Sequence, residues 1–385
     1  MTLAVALGFG ALIGVLLGLL GGGGSILAVP ALVYAVGLDM RQAIPISLPA
    51  SMLGLAPGAQ WILILFLYAG IASLLPVWLL LQPRDYINGI QLLVGLGLLY
   101  GAVLIANPAI VAPAINADLP ASAPPMLPLL FVTIACGAIS GFHGLVGSGT
   151  TSKQLNKETD ARFVGYLGSS GEGALALVAI IAATAGFASQ AEWRLMYSEF
   201  GNGGLTAFVQ GGAVIVSNGV GISREFAATL LTVMAVLFAG TTMDAGVRLQ
   251  RYIIQEWGAI YKIPVLQNGY VATGVAVATC LLLAFGASAA RGLPAGEGGM
   301  VIWPLFGTTN QLLAGLTLLV ISVMLVKLGR PARYTMIPMV FITTMALAAA
   351  LFQLQSLYRE GGIFYPLLWI DVAIVILAIL VMLEV

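Results

Sequence analysis

His143 is the single histidine of the chain. It stands in GFHGLVGSGTT, Gly141 to Thr151, at the close of an apolar run that starts at Met126. Histidine changes charge near neutral pH, so at the end of a membrane span it can pass a proton. Bonded to a backbone carbonyl, it would only anchor the helix end. Ser148, Thr150, Thr151 and Ser152 follow it. Their hydroxyls suit an ion, or the carbonyls that a helix end leaves free. Glu172 lies in the middle of LGSSGEGALALVAIIAATAGF. A carboxylate in hydrocarbon is costly and marks an ion or substrate pathway, unless Ser169 or Ser170 bonds it as a structural group. The flanking Gly171 and Gly173 leave room for another backbone.

Three Gly-Thr-Thr triplets begin at Gly149, Gly240 and Gly307. The third, in WPLFGTTNQLLAG, is expected to break its helix. Pro304 removes a backbone donor, Thr308 and Thr309 can take the released carbonyls or an ion, and Asn310 and Gln311 add amides at membrane depth. Helix-to-helix packing through small and hydroxyl residues is the plainer alternative. Asp244 precedes Arg248 by four residues, which predicts a structural i,i+4 ion pair at a helix end. Arg84 and Asp85 are adjacent, so they do not face each other on a helix, and QPRDY reads as a short cytoplasmic turn. Asp371 lies in the last apolar run with no partner nearby in sequence. Ser140 and His143 could form a nucleophile and base, but GAISG is not the G-x-S-G expected of an intramembrane protease. No phosphate-binding G-x-x-x-x-G-K-[ST] motif, metal spacing or disulfide framework occurs, and no cofactor or metal is expected.

The elements that must position these groups are membrane helices. Of 385 residues, 60% are hydrophobic and 8% charged, against about 25% charged in a soluble domain. The solvent of such a chain is the lipid bilayer. Zero formal net charge argues against a nucleic-acid partner. Spans are expected at 3–20, 59–81, 87–106, 126–146, 163–187, 224–246, 268–286, 299–327, 335–355 and 365–384, with half-helices at 26–38 and 44–56 and a Gly-rich re-entrant stretch at 203–219. The fold class is therefore an all-α integral membrane protein of about ten to twelve transmembrane helices with broken segments, as in transporters. Arg41, Arg84, Lys153, Lys157, Arg162, Arg248, Arg251, Lys262, Lys327, Arg330 and Arg333 fall on one side, which places that side and the N-terminus in the cytoplasm. The first twenty residues read as a retained span, not a signal peptide.

Five long stretches carry a resemblance. ASLLPVWLLLQPRDYINGIQL, FVTIACGAISGFHGLVGSGTTSKQL, ETDARFVGYLGSSGEGALALVA, ATLLTVMAVLFAGTTMDAGVRLQRY and WPLFGTTNQLLAGLTLLVISVML together resemble the carbon starvation protein A family. The resemblance runs from about Trp61 to the end. It implies an inner-membrane protein of starved bacteria that imports peptides, with proton-coupled pyruvate symporters among its relatives. The substrate is then a small molecule, peptide or pyruvate, the coupling ion H+, with Na+ still open, and the chain no enzyme. On that reading His143 and Glu172 handle the proton, and Ser148, Thr150, Thr151, Thr308, Thr309 and Asn310 line the path.

Residues 8–48 instead resemble the first repeat of the TauE/SafE sulfite-exporter family, on the glycine run Gly21 to Gly24 and the following AVP. Taken alone, that segment suggests sulfite or organosulfonate export. The His-His pair and the GAGP-type break that members of the carbon starvation family carry upstream are not found in these 385 residues. The chain therefore reads as two parts: 1–56, sulfite-exporter-like, and 57–385, the transporter domain.

Overall fold

The computed structural model describes residues 57–116, 119, 123–198, 204–293, 295, 298–361 and 366–384. The half-helices expected before residue 57, and the first span, lie outside them. Every regular element among the described residues is helical. In chain order these are α1 (Pro57–Leu74), α2 (Leu81–Ala106), a π-turn at Met126–Leu130 leading into α3 (Phe131–Ala135), α4 (Gly141–Gly149), a 3-10 turn at Thr151–Gln154, α5 (Asp160–Ala185), α6 (Gln190–Met196), α7 (Leu205–Val220), α8 (Arg224–Ile260), α9 (Pro264–Gln267), α10 (Gly269–Ala290), α11 (Gly299–Lys327), α12 (Arg333–Gly361) and α13 (Pro366–Glu384). Six of them, α2, α5, α8, α10, α11 and α12, are long and apolar enough to cross a membrane.

Helix ends fall where backbone chemistry requires. The run expected as one span over 59–81 stops at Leu74, because Pro76 cannot donate to the ladder and disfavours helix in the residue before it. Ser189 caps α6: its hydroxyl accepts from the Glu192 N–H, and the Glu192 carboxylate reaches back to accept from the Ala188 N–H just before the cap. Ser223 caps α8 by accepting from the Phe226 N–H. That helix runs 37 residues, well past the expected end at 246. At 1.5 Å per residue it is about 55 Å long, longer than the ~30 Å hydrocarbon layer.

The chain divides into two compact units. One comprises Met1–Ala121 and Ala174–Leu281, the other Ser122–Gly173 and Leu282–Val385. In the first, Leu96, Leu99 and Ala102 of α2 pack with Val178 of α5, Ala213, Ile215 and Val216 of α7, and Leu231 and Met234 of α8. A Cβ on Gly211 would collide with the Ala182 carbonyl, so α7 and α5 touch through backbone. In lipid, where tails are as apolar as leucine, such close van der Waals contact is what holds helices together. The Gly-rich stretch expected as re-entrant is this helix α7.

In the second unit, Ala135 packs with Ala314 of α11 and Ile342 of α12, beside an edge-on pair of Phe131 and Phe341 with ring centres 5.4 Å apart. Helix α13 packs on α11 and α12 through two apolar patches. Leu367, Leu368 and Ile370 meet Val301, Ile302, Leu354 and Leu357 in one, and Ile374 meets Leu312 and Ala346 in the other.

Candidate functional site

The expected span 126–146 is broken. Helix α3 ends at Ala135, five residues turn, and α4 restarts at Gly141. Ser140 is extended, with φ −106° and ψ 128°, and its own side chain does not cap α4. The first N–H groups of α4 and the carbonyls of the turn thus need partners from elsewhere. Helix α11 supplies them. Asn310 Oδ1 accepts from the Phe142 N–H at 2.8 Å, and its amide nitrogen donates to Cys136 Sγ at 2.9 Å and Ser140 Oγ at 3.2 Å. The neighbouring Gln311 donates to the Ile139 carbonyl at 2.9 Å. Both amides are buried. A Cβ on Gly141 would strike the α11 backbone at Asn310 and Ala314, and one on Gly144 would strike Thr317. The glycines of GFHGLVG are therefore contact points that let the half-helix reach these amides.

The hydroxyls expected to line a path bond to their own helices. Ser148 Oγ donates to the Gly144 carbonyl at 2.8 Å, Thr150 Oγ1 to Val146 at 2.9 Å, and Thr309 Oγ1 to Leu305 at 2.7 Å. Thr308 Oγ1 lies 3.0 Å from the Pro304 carbonyl and 3.1 Å from Gln353 Oε1. Thr151 opens the 3-10 turn after α4. The break expected at the third triplet does not occur, since α11 is unbroken through Pro304 and Gly307. Proline costs that helix one backbone bond near its start, and the helix continues past it. The real interruption lies in its neighbour, and Asn310 is its fastening.

His143 and Glu172 do come together, with Nε2 and Oε1 3.9 Å apart. Burial of Glu172 is not what the structure gives: the side chains are 43% exposed for Glu172 and 63% for His143. Nor does any described atom stand within 4 Å of where a Cβ would sit on Gly171 or Gly173. Asp371 is the buried carboxylate of this unit, fully enclosed between the two apolar patches of α13, with neither oxygen hydrogen-bonded among the described residues.

The first unit holds a buried charge cluster that sequence reasoning largely missed. Asp244 and Arg248 are 0% and 1% exposed, in mid-helix and not at a helix end. The expected pair between them is not the ion pair that forms. Arg248 gives its guanidinium to the carbonyls of Leu75, at 2.9 Å, and Ala72, at the C-terminus of α1. Those orphan carbonyls and the negative end of the helix dipole are the stronger claim on a cation. Asp244 instead faces Arg84 of α2, with Oδ2 and Nη1 3.8 Å apart. Both Asp244 oxygens are buried without a hydrogen bond. Arg84 Nη1 donates to the Tyr68 hydroxyl at 2.6 Å, and the guanidinium stands 5.2 Å from that ring's centre. A Cβ on Gly240 would collide with Arg84 Nη2. The second triplet thus contains the notch that admits the guanidinium, and its Thr241 takes Asn88 Nδ2 at 3.4 Å. The turn expected at QPRDY is the first turn of α2. Among the described residues no group of three His, Cys, Asp or Glu is placed to hold a metal ion, and both cysteines are free thiols.

The family model for carbon starvation protein CstA matches residues 1–198 and 196–349. The first match includes the segment that resembles a sulfite exporter, and nothing in the comparisons supports the export alternative. The Helicobacter pylori peptide transporter CstA is 34% identical over 309 residues, covering 68% of this chain and 45% of its own. The Escherichia coli peptide transporter CstA is 31% identical over 336 residues, 74% of this chain and 47% of its own. The pyruvate/proton symporter BtsT of Escherichia coli is 30% identical over 377 residues, 77% of this chain and 51% of its own. The chain thus spans about half the length of the curated relatives it matches. No solved structure matches it.

Proposed function

The chain belongs to the carbon starvation protein CstA family, and from that premise we propose that it is a secondary active transporter importing a peptide or pyruvate across a bacterial inner membrane, coupled to protons. The observation that carries this reading is the α3–α4 break inside a bundle of membrane-spanning helices. Non-helical backbone at membrane depth is tolerated where it is buried in protein or lines a cavity, and transporters use half-helix ends to bind substrate and ion. Relatives named as transporters support the same reading. His143, in the first turn of half-helix α4, and Glu172 are the pair that handles the proton, since neither side chain is enclosed by protein and they stand 3.9 Å apart. Ser148, Thr150, Thr151, Thr308, Thr309 and Asn310 support the geometry of the break and path. No catalytic role is assigned to any residue.

The test is uptake of labelled pyruvate and a labelled dipeptide into vesicles holding the purified chain, with and without an inward proton gradient. Gradient-driven uptake that drops by tenfold or more in Glu172→Gln supports the reading, and the preferred label names the substrate. Absence of uptake of either label from folded protein overturns it.

A further inference from the structure

The buried cluster of the first unit has unspent binding capacity, and its geometry says for what. Arginine offers five N–H donors in a planar fork shaped for a carboxylate. Among the described residues Arg84 spends one, on Tyr68. Its contact with Asp244, at 3.8 Å, is an ion pair too long to be a hydrogen bond. Asp244 in turn has two buried oxygens with no hydrogen-bond donor among the described residues. An evolved structural salt bridge would close this gap, because buried charges are tolerated when paired and fully hydrogen-bonded. Arg248, one turn along α8, differs in that both of its terminal nitrogens are spent on carbonyls at the end of α1, with Nε alone left without a partner among the described residues.

We propose that Arg84 is the receptor for a carboxylate ligand, and that Asp244 is its resident counter-ion, displaced when it takes a proton. The proposal rests on the transport reading above, because both candidate substrates, a peptide and pyruvate, carry a carboxylate. Two carboxylates cannot both stay ionised at low cost beside one guanidinium. The incoming anion therefore binds to the form in which Asp244 is protonated. The balance is simple: one proton adds to an Asp244 oxygen, one carboxylate joins Arg84, and no covalent bond other than O–H forms. The formal charge of Arg84, Asp244 and Arg248 is +1 before; after, the three carry +2 and the bound carboxylate −1, so the site again totals +1. Proton and anion enter the site as a pair, which is the stoichiometry of a symporter.

The titratable groups around Asp244 come from three helices. Helix α2 brings Arg84 and the exposed Asp85, α1 brings Tyr68, and α8 itself carries Arg248 followed by Arg251 and Tyr252. Helices α7 and α10 carry no charged residue. Gly240 completes the site by leaving space for Arg84 Nη2.

The experiment is equilibrium binding of labelled pyruvate to the full chain in lipid nanodiscs as a function of pH, with the uncharged amide of pyruvate as control. The wild type is expected to bind pyruvate about tenfold more tightly per unit fall in pH over the coupled range, the slope of one linked proton. Asp244→Asn, which imitates the protonated acid, is expected to bind at the low-pH affinity at every pH. Arg84→Gln is expected to lose roughly ten- to a hundredfold in pyruvate affinity and none for the amide, the loss of a charged hydrogen bond. A wild-type slope retained in Asp244→Asn, or wild-type affinity retained in Arg84→Gln, overturns the inference and leaves the transport reading standing. Failure of wild-type protein to bind or carry pyruvate or a dipeptide overturns both. The gain at high pH in Asp244→Asn cannot come from misfolding.

Discussion

The α3–α4 break and the Arg84–Asp244 cluster are two answers to one difficulty, polar groups inside a membrane protein. The break is closed by neutral amides. Of the four amide heteroatoms of Asn310 and Gln311, three are hydrogen-bonded to named backbone and side-chain groups, and Gln311 Oε1 is buried without a partner among the described residues. The cluster uses full charges and leaves Asp244 with neither oxygen hydrogen-bonded. A satisfied network fixes one geometry, whereas an unsatisfied buried charge is poised to change partner or protonation state. The second unit contains both kinds, since Asp371 is as enclosed as Asp244 and likewise without a donor.

The sharpest way to break this comparison is to remove a charge that has already been spent. Arg248→Leu takes the donor from two carbonyls at the end of α1 and leaves Asp244 with one cation fewer. Breaking a buried ionic network from one side costs about 3–5 kcal/mol. The unfolding midpoint in detergent should fall further than after loss of the Asn310 amide or of any single carboxylate. Unchanged melting would mean that the α1 cap is idle.

Asn310→Ala should come next. It strips the partner from the Phe142 N–H and from the Ser140 hydroxyl at once. An unsatisfied buried group costs about 1–3 kcal/mol. Because the loss is local, hydrogen exchange of the α4 amides should accelerate before the global melt moves. Protection of α4 that survives the substitution would show that the amide does not hold the half-helix.

Most of the helices could be read from sequence because lipid demands long apolar runs, and α2, α5, α10, α11 and α12 fall close to where those runs lie. The break could not. CGAIS, residues 136–140, is scarcely more polar than its flanks, and what stabilises it arrives from α11, about 170 residues later in the chain. The third triplet misled for the same reason: its Pro, Asn and Gln signal an interruption, but in the helix they face. Arg84 was hidden by a rule that works elsewhere, since a lone arginine after an apolar run usually marks a cytoplasmic loop. Its partner lies 160 positions away, and only the Gly240 notch hinted at an approach.

Asp371 should respond in the opposite sense to Asn310. Asp371→Asn replaces a buried acid that has no hydrogen bond among the described residues with a neutral isostere, which removes a desolvation cost instead of creating one. Melting should stay within about 1 kcal/mol of wild type or rise. A fall as large as that of Arg248→Leu would place Asp371 among the structural groups.

The smallest effect on stability belongs to the pair that the protein encloses least. His143 and Glu172 are 3.9 Å apart with 63% and 43% of their side chains exposed, so little of the packing depends on either. Exposed ion pairs contribute about 0–1 kcal/mol. Glu172→Gln should therefore leave the unfolding midpoint almost unmoved. Its effect belongs in transport: if the pair handles the coupling proton, gradient-driven uptake falls while substrate exchange without a gradient persists, because exchange needs the binding site but no net proton movement. A variant that melts early and loses exchange as well would move Glu172 to the structural side of the comparison.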